Sequence, residues 1–260
     1  MAEDVLIEVQ QVGKTYKSAE GEEVEALNDI GFKVKRGEFL SIIGPSGCGK
    51  STLLHIIGGL MSASSGRVLI DKKPVSGPES KQIAWVFQEN TLLPWRNALQ
   101  NVAFGLELRG MNINDRETVA NKYLELVGLK GFEDKFPGEL SGGMQQRVAI
   151  ARALTLEPEI LLLDEPLGSL DEQTRILLGD ELLRIWERTK KTIVLVTHSL
   201  LEAAYLSTSV VVMTSRPGKV KDLIVVRKNG RRVLEVDYAR NVLWEKLRDE
   251  SIKAMGATVA

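Results

Sequence analysis

The sequence predicts an α/β fold: a mainly parallel sheet core with an N-terminal antiparallel β piece and an inserted helical subdomain. Two observations predict it. Short apolar runs rich in β-branched residues recur along the chain without polar alternation, the pattern of strands covered on both faces. Between residues 89 and 155 those runs stop, and apolar residues recur at helical spacing instead.

The opening stretch, 5–34, alternates apolar and polar residues more strongly and reads as a separate antiparallel piece. The strand-length runs are 39–43, 83–87, 160–163, 192–196 and 210–213, and the helical stretches are 98–109, 116–127 and 142–156. Arg216-Pro217-Gly218 signals a turn. After it, 220–236 reads as a hairpin around Asn229-Gly230, followed by a terminal helix over 238–255. The expected organisation is a single domain with a core of 1–88 and 157–226, a helical subdomain of 89–156, and a C-terminal hairpin and helix of 227–260.

At 260 residues the chain is long enough for one large α/β domain with a subdomain. Lys and Arg number 34 against 35 Asp and Glu, so the net charge of -1 gives no sign of a nucleic-acid partner, and any anion site must be local. The single cysteine, Cys48, excludes an internal disulfide and suits a reducing compartment. Glu3 and Asp4 stand where a signal peptide carries basic residues, and no apolar run reaches membrane-spanning length.

Gly44-Pro45-Ser46-Gly47-Cys48-Gly49-Lys50-Ser51 matches G-x-x-x-x-G-K-[ST] between an apolar strand and an amphipathic helix, the context a phosphate loop requires. Its glycines let backbone N–H groups converge on phosphate oxygens, and the new helix turns its positive end toward them. In this pattern Lys50 neutralises the β- and γ-phosphates of ATP, Ser51 ligates Mg²⁺, and Thr52 follows in the same first helical turn. Further along, Asp164 and Glu165 end an apolar strand and Pro166 helps stop it there. Adjacent side chains at a strand tip point different ways, so Asp164 is expected at the metal and Glu165 beside the attacking water as general base.

Leu140-Ser141-Gly142-Gly143-Met144-Gln145-Gln146-Arg147, standing before the Asp-Glu strand, resembles the signature motif of ATP-binding cassette (ABC) ATPases. The resemblance covers about residues 6–216 and implies the P-loop NTPase (RecA-like) fold. It further implies that Ser141, Gly142, Gly143 and Gln145 form a second anion-binding helix end, which meets the phosphate loop of another copy, or of a homologous ATPase, in a head-to-tail dimer. Gln88 resembles the Q-loop glutamine that senses the metal and the water. Ser169-Leu170-Asp171 resembles the D-loop, His198 the switch histidine on the γ-phosphate, and Tyr16 the aromatic that stacks on adenine. Two departures are small: Ser199 follows His198 where an acid is usual, and Gly168-Ser169 precedes Leu170 where an aromatic-Gly-Ala run is frequent.

Residues 89–96, 101–110 and 215–218 resemble the ATPases of nitrate, sulfonate and taurine importers. That resemblance implies an integral membrane permease as partner, a solute-binding protein acting through it, and a place on the cytoplasmic face of the membrane. It also places Trp95 and Arg96 at the groove that receives the permease, although Leu92, Leu93 and Trp95 fit the core of the helical subdomain as readily. Two other functions use the same motor: a soluble ABC ATPase acting on nucleic acid or ribosomes, and an exporter or lipid-transport ATPase. Finally, Cys48 lies near a helix N-terminus, which predicts a thiol of lowered pKa that is open to alkylation.

Overall fold

A computed structural model describes residues 4–17, 21–78, 82–168, 170–228 and 231–254. The chain opens with β1 (Val5–Lys17), β2 (Glu23–Lys35), β3 (Phe39–Ile43), α1 (Lys50–Ile57), β4 (Ser65–Ile70), β5 (Lys73–Pro74) and β6 (Ile83–Val86). Next come α2 (Ala98–Leu108), α3 (Ile113–Leu126), a 3₁₀ turn (Pro137–Glu139), α4 (Gly142–Leu154), β7 (Ile160–Asp164) and α5 (Glu172–Thr189). The last part holds β8 (Thr192–Val196), α6 (Leu200–Leu206), β9 (Ser209–Met213), β10 (Val220–Val225), β11 (Arg227–Lys228), β12 (Arg231–Arg232) and α7 (Val236–Ala254). These elements pack as two units, 1–79 with 192–260, and 80–191.

In the first unit β3 lies between β8 and β9, parallel to both, and β10 runs antiparallel along β9. All five residues of β3, of β8 and of β9 are buried, as their unbroken apolar runs require. A second sheet, in the order β2-β1-β4-β5, is antiparallel throughout and supplies the expected N-terminal β piece. Its last two strands carry little sequence signal. Three of the six residues of β4 are exposed, and Gly66 sits in it at φ +71 with its Cα so near β1 that a Cβ would fall 2.2 Å from the Gln11 carbonyl oxygen.

The C-terminal part differs from the sequence expectation. Val220–Val225 is the edge strand β10 of the parallel sheet, not one arm of a hairpin, because its alternating half-buried and exposed residues suit a strand with one face on a core. Only the short pair β11–β12 remains of the hairpin, and its Asn229-Gly230 turn lies outside the described residues. α7 begins at Val236, two residues earlier than its periodicity suggests, because Val236 packs on the cluster that holds the helix. In that cluster Ala239, Leu243 and Leu247 of α7 meet Ala203 and Ala204 of α6 and Val210 and Val212 of β9.

A polar clasp fixes the far end of α7. Glu250, 5% exposed, accepts hydrogen bonds from the backbone N–H and the hydroxyl of Ser215, both at 3.0 Å, and from the Lys221 ammonium at 3.1 Å. Burial alone would raise this carboxyl, but the Ser215 donors and the Lys221 charge outweigh it and hold its pKa at about 2.

In the second unit β6 and β7 form a parallel pair, with Val86 opposite Leu163. Helices α2, α3 and α4 pack on one another, and α4 also touches α5 and β6. Asn97 opens α2 with a reciprocal cap: its side chain accepts from the Gln100 N–H at 2.8 Å, and Gln100 accepts from the Asn97 N–H at 3.2 Å. The core face of α5 is Leu178, Leu182, Ile185 and Trp186, an i, i+4, i+7, i+8 pattern. Among the described residues no helix is long and apolar enough to cross a membrane.

The Glu250 clasp sets a pH dependence. A carboxyl held below its usual 4.5 contributes stability that is complete above that value and is lost as pH falls toward about 2. Thermal midpoints of the wild type and Glu250→Gln are therefore expected to differ at neutral pH and to converge as pH is lowered from 4.5 toward 2. A difference independent of pH over that range would show that the carboxylate charge plays no part.

Candidate nucleotide-binding site

The first unit builds the phosphate loop at the carboxyl end of β3, where a buried strand turns directly into α1. Gly47 (φ +73) and Gly49 (φ +100) occupy conformations that L side chains rarely adopt. At Gly49 space also decides, since a Cβ there would lie 2.6 Å from Leu27 Cδ2 and 3.1 Å from the Ala26 carbonyl oxygen. Gly49 is the N-cap of α1 and offers no side-chain hydrogen bond, and the first turn holds no acid. The opening N–H groups of α1 therefore have no competing side-chain acceptor at the cap, and no carboxylate offsets the positive helix end. Gly44, Pro45 and Cys48 are buried, whereas Ser46 and Gly47 form the exposed crest.

Lys50 is 6% exposed and donates to the carbonyl oxygens of Gly44 (3.0 Å) and Pro45 (3.1 Å), so its ammonium arches over the loop. Ser51 and Thr52 are half-buried in the first turn of α1. The Thr52 hydroxyl lies 3.1 Å from the hydroxyl of Tyr16, which also donates to Met61 Sδ at 3.2 Å. The Tyr16 ring is thus tied at its tip to the helix that follows the phosphate loop, with the Lys14 ammonium 5.4 Å from its centre.

His198 is exposed just beyond the carboxyl end of β8, the strand beside β3. Its backbone is fixed from both sides. The Thr197 hydroxyl donates to the buried Glu202 at 2.6 Å, the Ser199 N–H donates to Thr197 Oγ1 at 3.0 Å, and Ser199 caps α6 by accepting from the Glu202 N–H at 3.2 Å. A serine after His198 therefore serves as a helix cap, a role open to an acid as well.

In the second unit, Gln88 and the Asp164-Glu165 pair leave the parallel strands β6 and β7 at the same, carboxyl end. Asp164 is 8% exposed, whereas Glu165 is half-buried with φ +44, a left-handed backbone that turns it away from the strand direction. Gln88 is exposed. Ser141 caps α4, its hydroxyl accepting from the Met144 N–H at 3.3 Å, and the first turn of that helix also holds no acid. Gly143 permits close packing on α5, since a Cβ would lie 2.6 Å from Thr174 Cγ2, while Ser141 and Gly142 stay exposed. Asp171 caps α5, and the Thr174 N–H and hydroxyl hold its carboxyl below the usual range. Ser169 lies outside the described residues.

Gln145 is spent inside the protein. Its amide nitrogen donates to the carbonyls of Pro137 (2.9 Å) and Leu140 (3.2 Å), and its oxygen accepts from Asn90 at 3.3 Å, which links the α4 helix end to the segment after Gln88. Arg152 completes that link with three bonds of 2.8 to 3.0 Å, to the carbonyls of Thr91 and Asn90 and to the Thr91 hydroxyl. Sequence reading missed Arg152. It lies on the ordinary helical pattern of α4, and its partners are some sixty residues away.

One expectation is corrected. Cys48 is 1% exposed and burial pushes its thiol pKa up, more than the Lys50 charge and neighbouring N–H donors lower it. A helix N-terminus activates a thiol only where the thiolate remains solvated.

Comparison with known proteins gives a consistent result. The sequence pattern of the family described as "ABC transporter" matches residues 27–168. An uncharacterized ABC transporter ATP-binding protein of Methanocaldococcus jannaschii is 49% identical over 254 residues, covering 96% of this chain and 94% of its own. An aliphatic sulfonates import ATP-binding protein of Bacillus cereus is 44% identical over 220 residues, 85% of this chain and 86% of its own. Among solved structures, a dimeric ATP-binding cassette in a post-hydrolysis state with ADP and Pi superposes with a TM-score of 0.76 at 36% identity, covering 86% of this chain and all of that one. A subunit of an ABC transporter complex from Clostridium perfringens gives 0.77 at 28% identity, covering 96% of this chain and 95% of that one.

The burial of Cys48 makes a direct prediction. At neutral pH a maleimide is expected to modify the folded protein more slowly, by about tenfold or more, than the guanidinium-unfolded chain. Rapid stoichiometric labelling of the native thiol would contradict this.

Proposed function

The chain belongs to the ABC transporter family of ATP-binding proteins and is an ATPase, and from that premise we propose that it drives uptake of a small anionic nutrient through a separate membrane permease. One observation carries the reading: the chain holds two different acid-free helix ends suited to phosphate, at Gly49-Lys50 and at Ser141-Gly142. One triphosphate needs both ends. A head-to-tail pair of copies supplies them to each of two ATP molecules, and the dimeric cassette among the structural relatives supports that arrangement.

Roles follow from chemistry. The backbone N–H groups of Ser46, Gly47 and Gly49 and the Lys50 ammonium bind the β- and γ-phosphates, and Tyr16 presents its ring to the adenine. Ser51, Gln88 and Asp164 each offer an oxygen donor, which suits Mg²⁺, and these residues would hold the ion that accompanies ATP. When bound, Mg²⁺ neutralises charge on the β- and γ-phosphate oxygens. Glu165 accepts a proton from the water that attacks the γ-phosphorus. His198 donates to a γ-phosphate oxygen and keeps it oriented as negative charge builds. Ser141 and the N–H groups of Gly142 and Gly143, from the second copy, receive the same phosphate from the other side.

The helical unit offers the permease surface. A cavity of about 380 Å³ there is lined by Trp95, Arg96, Leu99, Ala103, Glu107 and Arg116 among others, and Trp95 is 70% exposed. Arg96 has a different task from Trp95. It forms a two-pronged ion pair with Glu107 (2.8 and 3.1 Å) and stacks on Phe104 at 5.0 Å, so it shapes the cavity wall. An importer also requires a solute-binding protein, and the Bacillus cereus relative favours an aliphatic sulfonate, the class that includes taurine, as cargo over nitrate.

Three measurements test this reading. Glu165→Gln is expected to keep ATP binding and to lower turnover by about 10² to 10⁴; hydrolysis at the wild-type rate removes the assignment. Trp95→Ala is expected to keep most basal hydrolysis while losing stimulation by the permease, and equal loss of both would place Trp95 in the subdomain core. With the cognate permease and binding protein in liposomes, an alkanesulfonate or taurine is expected to raise ATP turnover more than nitrate does. No response to any of the three, together with stimulation by ribosomes or DNA, would end the importer reading.

A further inference from the structure

The end of β9 and the segment after it touch the phosphate loop at three points. Met213 lies against Gly44, where an added Cβ would be 3.1 Å from Met213 Cβ. Arg216 donates to the Gly47 carbonyl oxygen from both Nε (3.2 Å) and Nη2 (3.1 Å). Gly218 passes beneath the loop so closely that a Cβ would lie 2.2 Å from the Cys48 carbonyl oxygen. The segment is itself closed, since the Lys219 N–H donates to Thr214 Oγ1 at 2.9 Å and the Thr214 N–H to the Lys219 carbonyl at 2.9 Å. It is also anchored to β2, where the Gly218 N–H donates to the Ala26 carbonyl at 2.9 Å and its carbonyl accepts from the Asn28 N–H at 3.0 Å.

A loop that binds an anion through N–H groups must keep its carbonyls turned away from it. The weak point is Gly47, whose left-handed φ and lack of a side chain leave its peptide unit free to rotate and swing a carbonyl toward the phosphates. In this structure that peptide is pinned at both ends: Arg216 holds the Gly47 oxygen, and the Cys48 N–H donates to the Pro45 carbonyl at 3.3 Å. Arg216 is held in turn through its neighbour Ser215, whose N–H and hydroxyl are both bound by the buried Glu250 of α7.

We infer that Arg216 is a positioning residue of the nucleotide site, fixing the Gly47–Cys48 peptide so that the loop is preformed for a triphosphate, and that Ser215 and Glu250 make the C-terminal helix part of that device. The inference rests on the ATP-site reading above and adds to it a residue outside the loop. Preorganisation removes an ordering cost from binding, so its loss falls mainly on affinity.

The test uses the full-length chain, with a trinitrophenyl-ATP titration, steady-state hydrolysis and the thermal midpoint without nucleotide. Arg216→Ala is expected to raise the ATP Kd and KM by about tenfold, the size associated with losing a charge-assisted pair of hydrogen bonds. Its kcat at saturating ATP should stay within about threefold of wild type. Because Arg216 is exposed, the midpoint is expected to hold. Arg216→Lys, which keeps the charge but not the fork, should recover part of the affinity. Glu250→Gln, far from the loop in sequence, should raise Kd by a smaller factor. If Arg216→Ala melts early, Arg216→Gln decides, since it keeps most of the stem and loses the charge: a raised Kd supports the inference and a wild-type Kd overturns it. Lys50→Ala separates the two readings. Wild-type affinity in Arg216→Ala alongside lost affinity in Lys50→Ala defeats the positioning role only, whereas wild-type affinity in both defeats the nucleotide site itself.

Discussion

Close approach of one backbone to another is the constraint on which the phosphate loop depends. At Gly49 the chain passes Leu27 and Ala26, and at Gly218 it passes Cys48, with no room at either for a side chain. Glycine is required there for space, and at Gly47 and Gly49 for conformation as well. Loop, β2 and the segment after β9 consequently form one block, joined by main-chain hydrogen bonds from Gly218 to Ala26 and from Asn28 to Gly218. A loop held in that way keeps its N–H groups where an anion can use them, and the binding energy is not spent on ordering it.

Charge around this block follows from burial. Lys50 is almost wholly covered yet meets two carbonyl oxygens, which satisfy its ammonium without cancelling its charge. At Cys48, on the same loop, burial raises the thiol pKa by more than the Lys50 charge and the neighbouring N–H donors lower it. The same logic separates the two acids of the strand tip. Asp164 is nearly buried at the end of β7, whereas the left-handed backbone at Glu165 leaves that residue half-buried.

In the second unit the segment after Gln88 is tied to α4 by side chains far from it in sequence. Gln88 is followed by Asn90 and Thr91, and these are bound by Gln145 and Arg152 of α4, the helix that Ser141 opens. Asn101, 0% exposed, binds the carbonyls of Leu93, Arg96 and Asn97 and so carries the connection on to Trp95. Hydrogen bonds thus hold the segment after Gln88 at Asn90 and Thr91 and again at Leu93, Arg96 and Asn97, on either side of Trp95.

Local pattern alone determined much of this protein. The unbroken apolar runs marked β3, β6, β7, β8 and β9, because a strand buried on both faces cannot alternate, and the glycine spacing at 44–49 and 142–143 marked the starts of α1 and α4. What the sequence could not display was any interaction whose partners are far apart along it. β4 pairs with the N-terminal strand β1 across a glycine-weakened pattern and β5 pairs with β4, β10 joins the parallel sheet instead of a hairpin, and Arg152 and Arg216 look like ordinary surface arginines until Thr91 and Gly47 are brought beside them. The Cys48 thiol failed for the same reason. Its position at a helix start is written in the sequence, but its desolvation is a property of everything packed around it, and only the tertiary structure sets that.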